Sequence, residues 1–118
     1  YLILGLVLNW VFTPINAASD FGFTFNELNS SAQNALLRDF TAFFVATLLF
    51  SVLGVITLNS AWFFSVGIVY ISAGVFNLIA IYAYGTDYNQ IFIGEFLLGI
   101  FPLALGTIIS YQKKKAKV

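Results

Sequence analysis

The sequence predicts an all-α integral membrane protein, a bundle of four apolar helices with the first one shortened at its N-terminal end. Three observations carry this prediction. Of 118 residues, 60% are hydrophobic and only 8% charged, whereas a soluble domain has about 25% charged residues with which to face water. The mean hydropathy is +0.93. Turn formers and short polar stretches divide the apolar sequence into four segments, and three of these exceed the roughly 20 residues needed to cross the hydrocarbon of a bilayer.

The first segment covers residues 1–13 and stops at Pro14, which cannot continue a helix interior. It is too short to span, and the chain begins with Tyr1 rather than Met. It therefore reads as the second half of a spanning helix whose start is missing. A cleaved signal peptide is the rival reading, with Asn16-Ala17-Ala18 as a poor cleavage site.

Residues 14–30 form a polar connection. Phe21, Phe23 and Phe25 alternate within it. That pattern fits either a short strand or, better, a loop that presses its rings into the membrane interface, where aromatics are favoured.

Ser30 followed by Gln33 has the spacing of a capping box, so the second helix is expected over residues 31–58. At 1.5 Å per residue its 28 residues reach about 42 Å, more than the hydrocarbon thickness, so its first turns should project out of it. Asn59-Ser60 is a tight break, with Asn59 ending one helix and Ser60 capping the next. The third helix is expected over residues 61–84, closed by Gly85, and the fourth over residues 90–111. Pro102 lies inside the fourth, which is tolerated in membrane helices and commonly kinks them.

Residues 112–118 form a basic tail with Lys113, Lys114, Lys115 and Lys117, four of the five basic residues in the chain. Basic ends are retained in the cytoplasm. The fourth helix then runs from outside to inside, the third from inside to outside, and the second from outside to inside. The 14–30 connection is extracytoplasmic, and the single Arg38 at the outer end is outvoted by the lysines.

The chain has no Cys, His or Met. Disulfides, thiol and histidine catalysis, and the usual zinc, haem and iron–sulfur ligands are excluded. No metal site or cofactor is expected. A long basic stripe is also missing, which argues against nucleic acid as a partner. P-loop, dinucleotide-binding and nucleophile-elbow motifs do not occur, so no catalytic residue is assigned.

The candidate polar cluster consists of Arg38, Asp39, Asn77 and Glu95. Ionisable groups inside a span are costly unless paired or wetted, and they are often functional. Glu95 lies six residues after Asn89, about 9 Å from the expected outer end of its helix. Side chains lean toward a helix N-terminus, which tips Glu95 toward the level of Arg38, so an Arg38–Glu95 hydrogen bond is expected. Asn77 has a similar depth but leans the other way, leaving its membership open. Trp10, Trp62, Tyr82, Tyr84, Tyr88 and Tyr111 read as interface anchors. Asp20, Glu27 and Asp87 read as solvated loop charges. Gly67 and Gly74, Ser65 and Ser72, and Gly99 and Gly106 each stand seven residues apart. That spacing keeps small residues on one helix side and permits close approach.

The stretches ALLRDFTAFFVATLLFSVLG at Ala35–Gly54, AGVFN at Ala73–Asn77 and GEFLLG at Gly94–Gly99 resemble a bacterial family of small four-helix membrane proteins known as domain of unknown function 4345, similar in layout to DoxX-like proteins. The shared features are an Arg opening the second helix and an acidic residue early in the fourth. A basic residue common in that family near Asn77 is absent. The resemblance implies a fold and no established activity, and a bacterial inner-membrane location is expected.

The residues together point to a non-catalytic accessory or structural subunit in the lipid bilayer, associated with other membrane subunits or with further copies of itself. One alternative is a small-molecule or proton-linked transporter, or a membrane enzyme, using the outer-leaflet cluster. Another is a lipid-binding bundle.

Overall fold

The computed structural model describes residues 1–87 and 91–117. Every regular element among them is helical. In order these are α1 (Leu2–Phe12), α2 (Pro14–Asp20), a 3-10 turn (Phe25–Glu27), α3 (Ser30–Thr57), α4 (Ser60–Tyr84) and α5 (Ile91–Ala116). Three helices are long and apolar enough to cross a membrane, namely Ser30–Thr57, Ser60–Tyr84 and Ile93–Ala116. These three identify an integral membrane protein. α1, with 11 residues, falls short of that length. The expected count of four spans therefore stands at three by length.

The chain divides into two compact units, Tyr1–Leu49 and Phe50–Val118. In the first, the 14–30 connection departs from the expected loop. Pro14 occupies the first turn of α2, where its missing N–H costs nothing and its fixed φ suits a helix. Phe21 and Phe23 do not form a strand, and they pack inward against the core of this unit. Phe21 sits 5.7 Å from Trp10 and 5.5 Å from Phe40, ring centre to ring centre, and Phe23 sits 5.7 Å from Phe40. Phe44 completes the cluster from α3, 5.8 Å from Phe21. Trp10, expected at the interface, is instead the centre of this group and only 2% exposed. The tilted and edge-on ring geometries are those that aromatic quadrupoles prefer.

The start of α3 is also capped one residue earlier than expected. Asn29 Oδ1 accepts the Ala32 N–H at 2.9 Å, and Gln33 donates from Nε2 to the Phe25 carbonyl at 3.0 Å instead of closing a capping box. Asn is at least as good a cap as Ser, and using it frees Gln33 to tie the 3-10 turn to α3.

In the second unit, α3 and α4 are separated by only Leu58 and Asn59. Leu58, not Asn59, adopts the positive φ of 48°. Asn59 caps α4 by accepting the Ala61 N–H at 3.1 Å. Its own N–H donates to the Thr57 hydroxyl at 3.3 Å, and that hydroxyl donates to the Leu53 carbonyl at 2.6 Å. Phe50 stacks on Trp62 at 5.6 Å across the turn. Gly85 ends α4 at φ 65°, the left-handed cap expected of it.

α4 and α5 form an antiparallel pair along their lengths. Gly67, Gly74, Gly99 and Gly106 are all buried in the seam. A Cβ on Gly74 would meet the Phe96 ring at 3.1 Å, and one on Gly106 would meet Phe64 at 3.0 Å. Tyr70 and Pro102 are buried with them. The serine pair does not follow, since Ser65 is half-buried and Ser72 exposed. α5 runs on to Ala116, so the basic tail is helical through Lys115 rather than a free extension from residue 112.

Candidate functional site

The four candidate residues fall into two local pairs, one in each unit. Near the start of α3, Arg38 Nε donates to Asp39 Oδ1 at 2.7 Å and Nη2 donates to Oδ2 at 3.3 Å. Both side chains are well exposed, at 65% and 63%. An open ion pair of this kind is well solvated and contributes little to holding a fold. It neutralises a charge of each sign where α3 begins.

The other pair joins α4 to α5. Asn77 donates from Nδ2 to Glu95 Oε2 at 3.3 Å, and both side chains are half-buried. The reason lies in the register of the seam. Gly74 faces Phe96 and Gly99 faces Ile71, so one further turn along α4 brings Asn77 level with Glu95. Helical periodicity keeps Asn77 on the same side as Gly67, Tyr70 and Gly74. Asn77, whose membership was open from sequence, is thus the polar partner of Glu95. Among the described residues α5 begins at Ile91. Tyr88 and the expected turn through Asn89 lie outside the described residues.

Chemically, this pair offers one carboxylate with a single amide donor on one oxygen. It can fix the register of two helices. It can also accept a proton or a cationic group on the remaining oxygen. Among the described residues, no three carboxylate, His or Cys side chains are grouped to hold a metal ion.

A second polar group escaped the sequence reading. At the junction of α1 and α2, the Thr13 hydroxyl donates to the Asn9 carbonyl at 3.1 Å and to the Asn9 side-chain oxygen. Asn9 Nδ2 in turn donates to Asp20 Oδ2 at 3.4 Å. The signal was present in the spacing of Asn9 and Thr13, four residues apart and so on one helix face. It was masked by reading Asp20 as a loop charge. Tyr82, Tyr84 and Tyr111 are exposed near helix ends, while Trp62 is half-buried against Phe50. No family model matches the chain, and neither a curated protein nor a solved structure matches it.

Proposed function

We propose that this integral membrane protein is a non-catalytic accessory or structural subunit of a bacterial inner-membrane assembly, with its lysine-bearing end in the cytoplasm and the α1–α3 connection outside. The observation that carries this reading is the Asn77–Glu95 hydrogen bond set at the end of a glycine-lined α4–α5 seam. A polar contact in that place serves to hold two helices in register, because small residues let the backbones approach and an interhelical hydrogen bond then fixes their alignment. The resemblance to the family of unknown function is consistent with such a bundle and adds no activity.

Purification from the native membrane in a mild detergent, followed by native mass spectrometry, tests the proposal. The expected result is an assembly of fixed stoichiometry, either with another membrane protein or with further copies of the chain. A lone monomer at every detergent concentration would overturn it.

A second reading is favoured by the half-burial of Glu95. In it, Glu95 lines a polar cavity open to the outer side and serves small-molecule or proton-linked transport or membrane catalysis. The chain has no Cys, so a Glu95→Cys variant carries a unique thiol. If the subunit reading holds, a membrane-impermeant maleimide leaves that thiol unlabelled in sealed vesicles. Rapid labelling from the outer side would favour the cavity.

A further inference from the structure

The strongest unused feature of the molecule is the end of α5. The helix passes from apolar residues through Tyr111 and Gln112 and continues without a break to Ala116. Lys113, Lys114 and Lys115 fill its last turn, and Lys117 follows directly. All four are exposed. The only ion pair among the described residues is Arg38–Asp39, so none of the lysines has a carboxylate partner there. The remaining charges of the second unit are Asp87 and Glu95. Both belong to the opposite end of the α4–α5 pair, because Phe64 near the start of α4 packs on Gly106 near the end of α5. The α3–α4 turn at the lysine end, Leu58–Ser60, carries no charge. Among the described residues of the second unit, that end therefore holds four positive charges with no carboxylate beside them.

The helical geometry decides what these charges suit. Successive side chains turn by about 100° around the axis. Taking Lys113 as zero, Lys114 lies near 100° and Lys115 near 200°, and Lys117 follows one residue past the helix end. The ammonium groups thus surround the helix over more than half a turn. A flat acidic surface on one side could meet only some of them. A layer of anions encircling the helix could meet all of them. Tyr111, exposed and two residues earlier, places an aromatic ring at the level where such rings settle between hydrocarbon and headgroups. Lys113, Lys114 and Lys115 follow within about 6 Å along the axis, at the height of lipid phosphates.

We infer that the last turn of α5 is a collar that selects anionic phospholipid headgroups from the surrounding bilayer. Basic clusters immediately beyond a spanning helix gain roughly five-fold in association per lysine at an anionic membrane surface. The attraction is screened by salt, since charges at the surface interact only within about one Debye length.

The test uses the full chain in vesicles of phosphatidylcholine containing either brominated phosphatidylglycerol or brominated phosphatidylcholine. Trp62 lies on α4 next to the lysine end of the second unit, and bromine on neighbouring acyl chains quenches it. A Trp10→Phe variant, run beside the unaltered chain, isolates the Trp62 signal. The inference expects phosphatidylglycerol to be preferred at low salt by about five-fold for each lysine that engages a headgroup, with the preference shrinking in high salt. Changing all four lysines to Gln should remove it, and changing all four to Arg should keep it. Equal quenching by the two lipids, or a preference that survives the Gln changes, would overturn the collar. So would loss of the preference on adding millimolar inorganic phosphate, which would identify a free anion as the ligand. Its loss on adding stoichiometric acidic peptide would point instead to an acidic protein partner.

Discussion

Replacing Gly99 by Val is expected to destabilise the α4–α5 pair by about 3 kcal/mol, at the upper end of what overpacking costs. A Cβ at Gly99 would fall 2.7 Å from Ile71 Cγ1 and 2.9 Å from the Ile71 backbone nitrogen. The side chain could swing away, but the backbone could not, so the helices would have to part. In lipid the apolar surface exposed by such a parting meets acyl chains. Helix association there rests on van der Waals closeness rather than on escape from water, and distance is therefore the quantity that matters. Gly67 stands on the facing helix, with its own added Cβ driven into the Leu103 side chain and 3.0 Å from the Gly99 carbonyl. Unfolding in mixed micelles should show the loss for Gly99→Val. Gly94→Ala, with open space around the added methyl, should show none. Equal behaviour of the two variants would mean that the glycine seam does not hold the pair together.

Trp10→Ala should carry a similarly large effect, but in the other unit. Removing a buried aromatic leaves a cavity and typically costs 3–5 kcal/mol, so a loss of about 4 kcal/mol is expected. Trp10 touches the rings of Phe21, Phe40 and Phe44, which come from the α2 end and from α3. Its loss removes the ring that joins α1 to both of these segments at once. Amide hydrogen exchange should accelerate through Leu2–Asp20 and the first half of α3, while α4 and α5 keep their protection. Trp10→Phe, which keeps a ring in place, should have the smaller effect. Unchanged exchange in Trp10→Ala would show that the aromatic cluster is not the core of the first unit.

The long helices were legible because their signal is nearly continuous. Apolar runs bounded by Asn59, Gly85 and the lysines left little freedom, and the glycine spacing of seven announced the α4–α5 seam. The caps were harder. Asn29 is next to Ser30 and Asn59 is next to Ser60, and moving a boundary by one residue exchanges roles between chemically similar caps. The 14–30 connection was misread for a different reason. Phe21 and Phe23 read the same in sequence whether they face lipid headgroups or other rings, and only the positions of Trp10 and Phe40 decide between the two. The Asn77–Glu95 contact depends on the register between two helices. Spacing within each helix suggests that register only to within a turn, and the Gly74–Phe96 packing fixes it.

The two-residue link between α3 and α4 bears on how the protein is made. Leu58 and Asn59 cannot stretch across a bilayer, and the Thr57–Asn59 hydrogen bond and the Phe50–Trp62 stack close the turn locally. The two helices must therefore leave the insertion machinery as one hairpin, neither being able to invert alone. The same constraint passes orientation along the chain during synthesis. Whatever side one of them commits to is imposed on the other, so α4, which carries no charged residue of its own, takes its direction from the helices on either side of it.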